Sequence, residues 1–410
     1  MKRYPILELC ARVDGHAAQH QLLHAQCKSF DDWQGLLIQA EHDGMAPLLR
    51  KHLAESASSI PPAIRRSLSI LYKRHQKKAA VRLKVLEEIL ILLQQHQLTP
   101  MLLKGAALCQ TLYADPALRP MRDMDILLAP QQIEAAQDVL MSAGFTQAST
   151  PVAPGHYHLK PLHKTVAGFL ICIELHQGLY PDCPPYYPQI SFNNLLASGR
   201  EVRIGATTAK TFCHEEMLHY LYQHGLHAPL TYETSKLINV ADIIGYTEKY
   251  FHEINWPTVK DQFPKLYRAL PLLGSVSPWD DKKIPDTFIR RTGKKLQPVP
   301  FYGWPQRRVK ELERNVPLKE VLKTTFLPSS WWLRVYYGAG DSTLRLVKAL
   351  CIEHPKNVLW WIHVYSHFVI ETDPAAAEQK GALGSLKLFC ISSWNKVRGV
   401  LRKARSIWLG

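Results

Sequence analysis

Apolar residues in the first 95 positions recur at helical spacing, most clearly at Leu83, Leu86, Leu90 and Leu93, with Ile89 and Leu92 beside them. Steps of three and four put those side chains on one face of a helix. The pattern then changes. Thr99-Pro-Met-Leu-Leu is a short apolar run ending in Lys104-Gly105, and a helical stretch to Tyr113 follows. Asp123-Met-Asp-Ile-Leu-Leu reads as a strand closed by Pro130. That proline suits the first turn of a helix over Gln131 to Ser142, with Gly144 suited to its C-terminal cap. His156 to Val166 and Phe169 to His176 predict a hairpin turning at Ala167-Gly168.

Strand, helix, strand, helix and hairpin in that order give a small mixed sheet, placed at residues 96–208. The expected fold class is α+β, with this core embedded in mostly helical N- and C-terminal regions. Residues 1–95 form the helical N-terminal region, and residues 209–270 a helical region that completes a cleft. Six prolines mark 271–305 as a linker or irregular surface segment, and 306–410 reads as helical.

With 410 residues, 46% of them hydrophobic, the chain is neither disordered nor fibrous, and it needs no disulfide staples. Eight cysteines show no CxxC pair, a pattern of reduced thiols. The N-terminus reaches Glu8 and Arg12 before any long apolar run, so no signal peptide is expected. The longest apolar stretch, Val358 to Ile370, is too short to span a bilayer. These features predict a cytoplasmic protein.

The net charge of +15 is local. Residues 61–85 carry eight basic side chains and no acid (Arg65, Arg66, Lys73, Arg74, Lys77, Lys78, Arg82, Lys84), and residues 380–410 carry seven and no acid. The remainder is balanced, which excludes a uniformly basic nucleic-acid coat. In the second patch, Leu383, Leu386, Cys390, Trp394, Val397, Leu401, Ala404 and Trp408 step by three or four. Such a basic amphipathic helix can lie on an anionic membrane surface, which would make the protein peripheral there, or on a partner protein; it can equally pack on its own domain. The 61–85 patch has the same two readings, with nucleic acid or an acidic substrate as its partner.

Candidate chemistry lies between the patches. Asp123 and Asp125 are two apart, so on a strand both carboxylates face the same side and can share a cation. Glu174, in Cys172-Ile-Glu-Leu-His, alternates with apolar Ile173 and Leu175 on a strand that could lie beside them. Three acids in one cleft repel one another, and a hard divalent cation such as Mg²⁺ or Mn²⁺ relieves that repulsion. Residues 96–208 are close to neutral, so phosphate would have to be held by metal plus a few aimed cations. Lys104, Arg119 and Arg122 flank the acids, and Lys104-Gly105 opens a helix, where free N–H groups favour phosphate.

This segment resembles the uncharacterised nucleotidyltransferase family of the polymerase-β-like nucleotidyltransferase superfamily. The resemblance rests on Leu103-Lys104-Gly105, Tyr113, Arg119, Asp123-x-Asp125 and Glu174-Leu175-His176. Trp33 and the helical run to Leu49, the His224 helix, Leu237 to Asp242 and Phe326-Leu-Pro-Ser-Ser extend the likeness over roughly residues 30–370. One departure stands out: the superfamily's usual Gly-Ser is Lys104-Gly105 here. The resemblance implies transfer of a nucleoside monophosphate from an NTP such as ATP to an unidentified acceptor hydroxyl or phosphate. Two Mg²⁺ ions would serve, with Asp123, Asp125 and Glu174 as their ligands and catalytic acids. The alternative is a catalytically degenerate relative that binds nucleotide or acts as a scaffold.

Other signals are weaker. His214, His219, His224 and His227 invite a zinc reading, but the pair His214 and His219 is spaced by five, where a helical zinc motif needs four. No zinc is expected there. His224, Lys236 and Asp242 are candidate contacts to nucleotide or acceptor. His176 shares Glu174's face, as support for the acids or as a plainly hydrogen-bonded histidine. Gly338-Ala-Gly340 lacks the rest of a dinucleotide fingerprint and reads as a turn.

Overall fold

A computed structural model describes residues 3–149, 156–180, 190–230, 236–289, 296–301 and 303–362. Its N-terminal layer holds helices α1 (Pro5–Leu9), α2 (Ala17–Cys27), α3 (Trp33–His42), α4 (Ala46–Glu55) and α5 (Pro62–Gln95). Helix α5 runs long because Pro62 sits where a missing N–H costs nothing and no Gly or Pro interrupts it afterwards. It buries Val85, Leu86, Ile89, Leu90 and Leu93 along its C-terminal half.

The sheet is built from β1 (Met101–Leu102), β2 (Met124–Leu127), β3 (Thr146–Gln147), β4 (Leu162–Val166), β5 (Phe169–His176), β6 (Arg200–Ile204) and β7 (Thr207–Thr211). Helices α6 (Lys104–Thr111), α7 (Ile133–Ser142) and α8 (Phe192–Ser198) connect them. The strand order is β3-β4-β5-β2-β1-β7-β6, with β2 and β5 parallel and β1 and β2 antiparallel. The expected α+β class holds.

The hairpin turns at Ala167-Gly168, both with positive φ, +49° and +77°. Two such residues match the twist of a two-residue hairpin loop. Strand β4 begins at Leu162 rather than at His156, because Pro161 cannot donate to a ladder; upstream, His158 makes one isolated bridge to His176. The β6–β7 hairpin has no counterpart in the sequence reading, and it carries the sheet past position 208.

Helices α9 (His214–Gly225), α10 (Leu237–Tyr250), α11 (Trp256–Gln262) and α12 (Pro264–Ala269) follow, then α13 (Gln306–Glu313), α14 (Leu318–Phe326), α15 (Ser330–Tyr336) and α16 (Thr343–Lys348). The Pro-rich stretch between them opens in a short 3-10 helix, Leu270–Ser275, and its other described residues form no helix or strand, yet it buries Val276, Trp279, Ile284, Phe301 and Trp304 in the common core. Fully buried Arg12 ties it down, donating to Pro278 O and to Glu248 Oε1 at 2.6 Å on α10. It is a packed segment rather than a surface linker, because its aromatic residues have apolar area to bury. Gly338 and Gly340 do form a turn, with φ of +62° and +56°.

Among the described residues no helix is long and apolar enough to cross a membrane. The basic amphipathic stretch at 380–410 lies outside the described residues.

Candidate active site

Strands β2 and β5 pair in register with Asp125 opposite Glu174 and Leu127 opposite His176. Alternation along each strand then brings Asp125, Glu174 and His176 to one face. His176 Nε2 donates to Asp125 Oδ1 at 3.0 Å and lies 3.7 Å from Glu174 Oε2. One ligand atom from each of these residues falls within 4.8 Å of the others. Asp123 sits one residue before β2, and its carboxyl is pushed up to about 6, first by burial and then by Asp125. Burial pushes Asp125 the same way, but the Lys104 ammonium and His176 outweigh it and hold that carboxyl well below the usual range. The carboxylate oxygens of Asp125 and Glu174 in so small a space fit a divalent cation, with the His176 N–H holding one Asp125 oxygen in place.

Lys104 begins α6 with a positive φ of +39°, and its Nζ lies 3.5 Å from Asp125 Oδ2. Burial works against its charge, yet Asp125 and then Asp123 keep its pKa above the ordinary value. Gly105 has a steric task. A Cβ there would lie 2.6 Å from Arg119 Nη1 and 2.8 Å from Met121 Cγ, so only glycine lets the loop before β2 pass this close.

That loop is held from two sides. Arg119 donates to Asp242 on α10, Nη2 to Oδ2 at 2.6 Å and Nε to the same oxygen at 3.2 Å. Tyr113 donates to Asp242 Oδ1 at 2.6 Å. Asp242, expected to contact nucleotide or acceptor, and Arg119, expected to bind phosphate, are each other's buried partners. A carboxylate with no cation beside it would be costly at this depth, which is why the pair forms. From the other side, buried Arg82 of α5 donates to Met121 O and, at 2.9 Å, to Arg122 O.

A cleft of about 720 Å³ opens over the acids. Asp123, Asp125, Lys104, Gly105, Arg119, Arg122, His224 and Lys236 all line it. Glu174 and His176 adjoin it through Asp125. Burial, then Lys104, holds His224 well below its usual pKa, so it faces the cleft as a neutral ring.

The cleft also takes in part of the first basic patch: Arg74, His75 and Lys78 of α5 form part of its wall, where an acidic substrate could meet them. Glu41 of α3 balances some of that charge, accepting from His75 Nε2 at 2.8 Å with Arg74 at 3.8 Å. A sequence signal existed: Arg74, Lys78, Arg82, Leu86 and Leu90 are each four apart, one helix face passing from cleft to core. Glu41, Asp43 and Asn239 also line the cleft, and no local pattern marked them.

Of the histidines weighed for zinc, His214 faces Glu253, His219 stacks on Phe263, and His219 and His227 both meet Gln223, at 3.1 Å and 2.5 Å.

A family described as uncharacterised nucleotidyltransferase has a profile that matches residues 29–275. The match covers more than half of the chain. The chain belongs to this family. The matched span ends before Phe326, short of the reach to residue 370 expected from the sequence. Among solved structures, the antibiotic-resistance factor ANT(2'')-Ia is similar at 12% identity and a TM-score of 0.32, covering 47% of this chain and 96% of that one. An antigenic nucleotidyltransferase-like protein from Paracoccidioides brasiliensis is similar at 17% identity and a TM-score of 0.29, covering 51% and 96%. A comparison with curated proteins gave no match.

For a nucleotidyltransferase, the division of charge in the cleft is the notable feature. Asp123 and Asp125 occupy the sheet side, and Arg74, Lys78, Arg122 and Lys236 come from elements around it, with Glu41 and Asp43 among them.

Proposed function

We propose that this chain transfers a nucleoside monophosphate from an NTP to an acceptor hydroxyl or phosphate, with release of pyrophosphate. The observation that carries the reading is the register of β2 and β5, which sets Asp125, in the lining of a cleft that also holds Arg74, Lys78, Arg122 and Lys236, beside Glu174. Asp123, Asp125 and Glu174 would hold two Mg²⁺ or Mn²⁺ ions. When bound, such ions lower the pKa of the attacking group and neutralise charge on the triphosphate.

The protein's own groups then have distinct tasks. Arg74, Lys78, Arg122 and Lys236 orient the phosphates as point charges and forks. Lys104 keeps Asp125 ionised, so that it is ready to bind a cation. Arg119, Tyr113 and Asp242 fix the loop that carries Asp123, and Arg82 fixes its backbone. Positioning and charge neutralisation supply most of the rate in this class of reaction.

A second reading, nucleotide binding without transfer, is favoured by one contact: the Lys104 ammonium beside Asp125 already neutralises an acid that a metal would use. Incubation with each labelled NTP, Mg²⁺ and cell extract separates the two. Label transfer that disappears in Asp125→Asn supports transfer. Tight NTP binding with no pyrophosphate release under any acceptor supports the second reading and overturns the first.

A further inference from the structure

A second set of metal-ligating atoms lies in the N-terminal helical layer, and none of its residues lines the cleft. Helix α2 supplies His20; helix α4 supplies His52 and, one turn on, Glu55. We infer that His20 Nε2, His52 Nδ1 and Glu55 Oε2 bind a divalent transition-metal cation, Zn²⁺ in the first instance.

The hydrogen bonds set the tautomer of His52. Its Nε2 donates to Arg12 O at 2.9 Å, and a carbonyl can only accept. In the neutral ring Nδ1 therefore presents a lone pair. That atom is buried and has no hydrogen-bond partner among the described residues, and the same is true of His20 Nε2. Orphaned buried nitrogens are costly and call for an explanation. Both lie near one oxygen, Glu55 Oε2, at 3.7 Å from His52 Nδ1 and 3.8 Å from His20 Nε2, beyond hydrogen-bond length. Metal–ligand bonds of about 2.0–2.2 Å in a tetrahedron would set these separations at about 3.4 Å. For the two Glu55 separations a closure of a few tenths of an ångström suffices, and the two ring nitrogens start within 4.8 Å of each other.

Two further details fit. The backbone acceptor behind His52 is the usual support for a metal-bound imidazole. A Cβ on Gly15 would lie 2.1 Å from His20 Nε2, so the absent side chain makes room for that ring. Lys51 Nζ shares the Glu55 carboxylate, 3.1 Å from Oε1 and 3.4 Å from Oε2, and gives way in part when the cation binds. Two imidazoles select Zn²⁺ over Mg²⁺ or Ca²⁺, and Glu55, at 39% exposure, leaves a position open to water. The cation would staple α2 to α4.

The test uses the full chain carrying Asp125→Asn, which weakens the cleft's acid site, freed of metal by chelation and titrated with Zn²⁺ by calorimetry. We expect one ion bound at micromolar Kd or tighter, a higher Tm with Zn²⁺, and no displacement by millimolar Mg²⁺. Adding His20→Ala or Glu55→Gln should weaken binding at least tenfold, with the metal-free Tm changed little. Gly15→Ala, which removes no ligand, should weaken it as well. No Zn²⁺ uptake by the parent overturns the inference, as does unchanged affinity in both ligand variants or release by Mg²⁺.

Discussion

Asp125, Glu174 and His176 come from adjacent strands, whereas His20, His52 and Glu55 come from two helices. The strand group is dominated by like charge: burial and Asp125 push Asp123 up to about 6, and Lys104 is already present as a counter-ion. The helix group has the opposite character, with one carboxylate and two buried ring nitrogens that lack hydrogen-bond partners among the described residues. The first group accumulates charge that only cations relieve. The second accumulates lone pairs that only a donor or a metal satisfies. A site can thus be incomplete in two ways, and the chemistry of each deficit selects its ion.

The sharpest way to break the comparison is to remove charge from the strand group. Asp125→Asn should lower nucleotidyl transfer by about a thousandfold, several kcal/mol of lost metal and phosphate stabilisation, measured as labelled-NMP transfer. Removing the corresponding charge from the helix group, with Glu55→Gln, should leave transfer nearly unchanged.

Next in size is the support behind the acids. Asp242→Asn leaves Arg119 buried without its partner, which should cost about 3–5 kcal/mol in urea unfolding, with transfer falling as the loop loosens. Equal loss from Asp242→Asn and from an exposed acid such as Asp286→Asn would show that this pair has no special weight.

Histidines outside both groups give the pH scale. Burial holds the pKa of His354 at about 4 and that of His219 at about 3. Each is neutral when folded and protonates near its ordinary value when unfolded, so the unfolded chain binds more protons below about pH 6.5. Stability from this source is complete above that pH. It should fall by about 1.4 kcal/mol per pH unit for each ring down to its folded pKa, read from urea midpoints between pH 7 and 5. A flat profile over that range would contradict the burial of both rings.

The smallest effect sharpens the charge argument. Lys78→Ala should weaken NTP binding by about tenfold, and less at high salt, because it removes one cation from the cleft wall. Lys77→Ala, one residue away and exposed, should change little.

Legibility followed the range of the interaction. Asp125 was readable because strand alternation is local, and Glu174 because its own strand alternates in the same way, whereas Asp123 sits one residue before β2 and outside that alternation. Arg119 and Asp242 were visible as polar residues in the right regions, but sequence could not show that they meet each other across more than a hundred residues. The 61–85 patch was read from its charge, which concealed that Arg82 is buried and that Arg74 and Lys78 line the cleft. The prolines of 271–305 pointed to a stretch without long helices or strands, while the burial of Trp279 and Trp304 depended on what they found to pack against.

The sequence by itself determined the α+β class and the hairpin at Ala167-Gly168, because backbone periodicity and turn conformation are properties of neighbouring residues. Tertiary structure alone decided which charges face one another: Lys104 on Asp125, Arg119 on Asp242, α5 cations over the acids, and two imidazoles on Glu55. Electrostatic partners are set by distance in space and by burial, and neither is written in chain order.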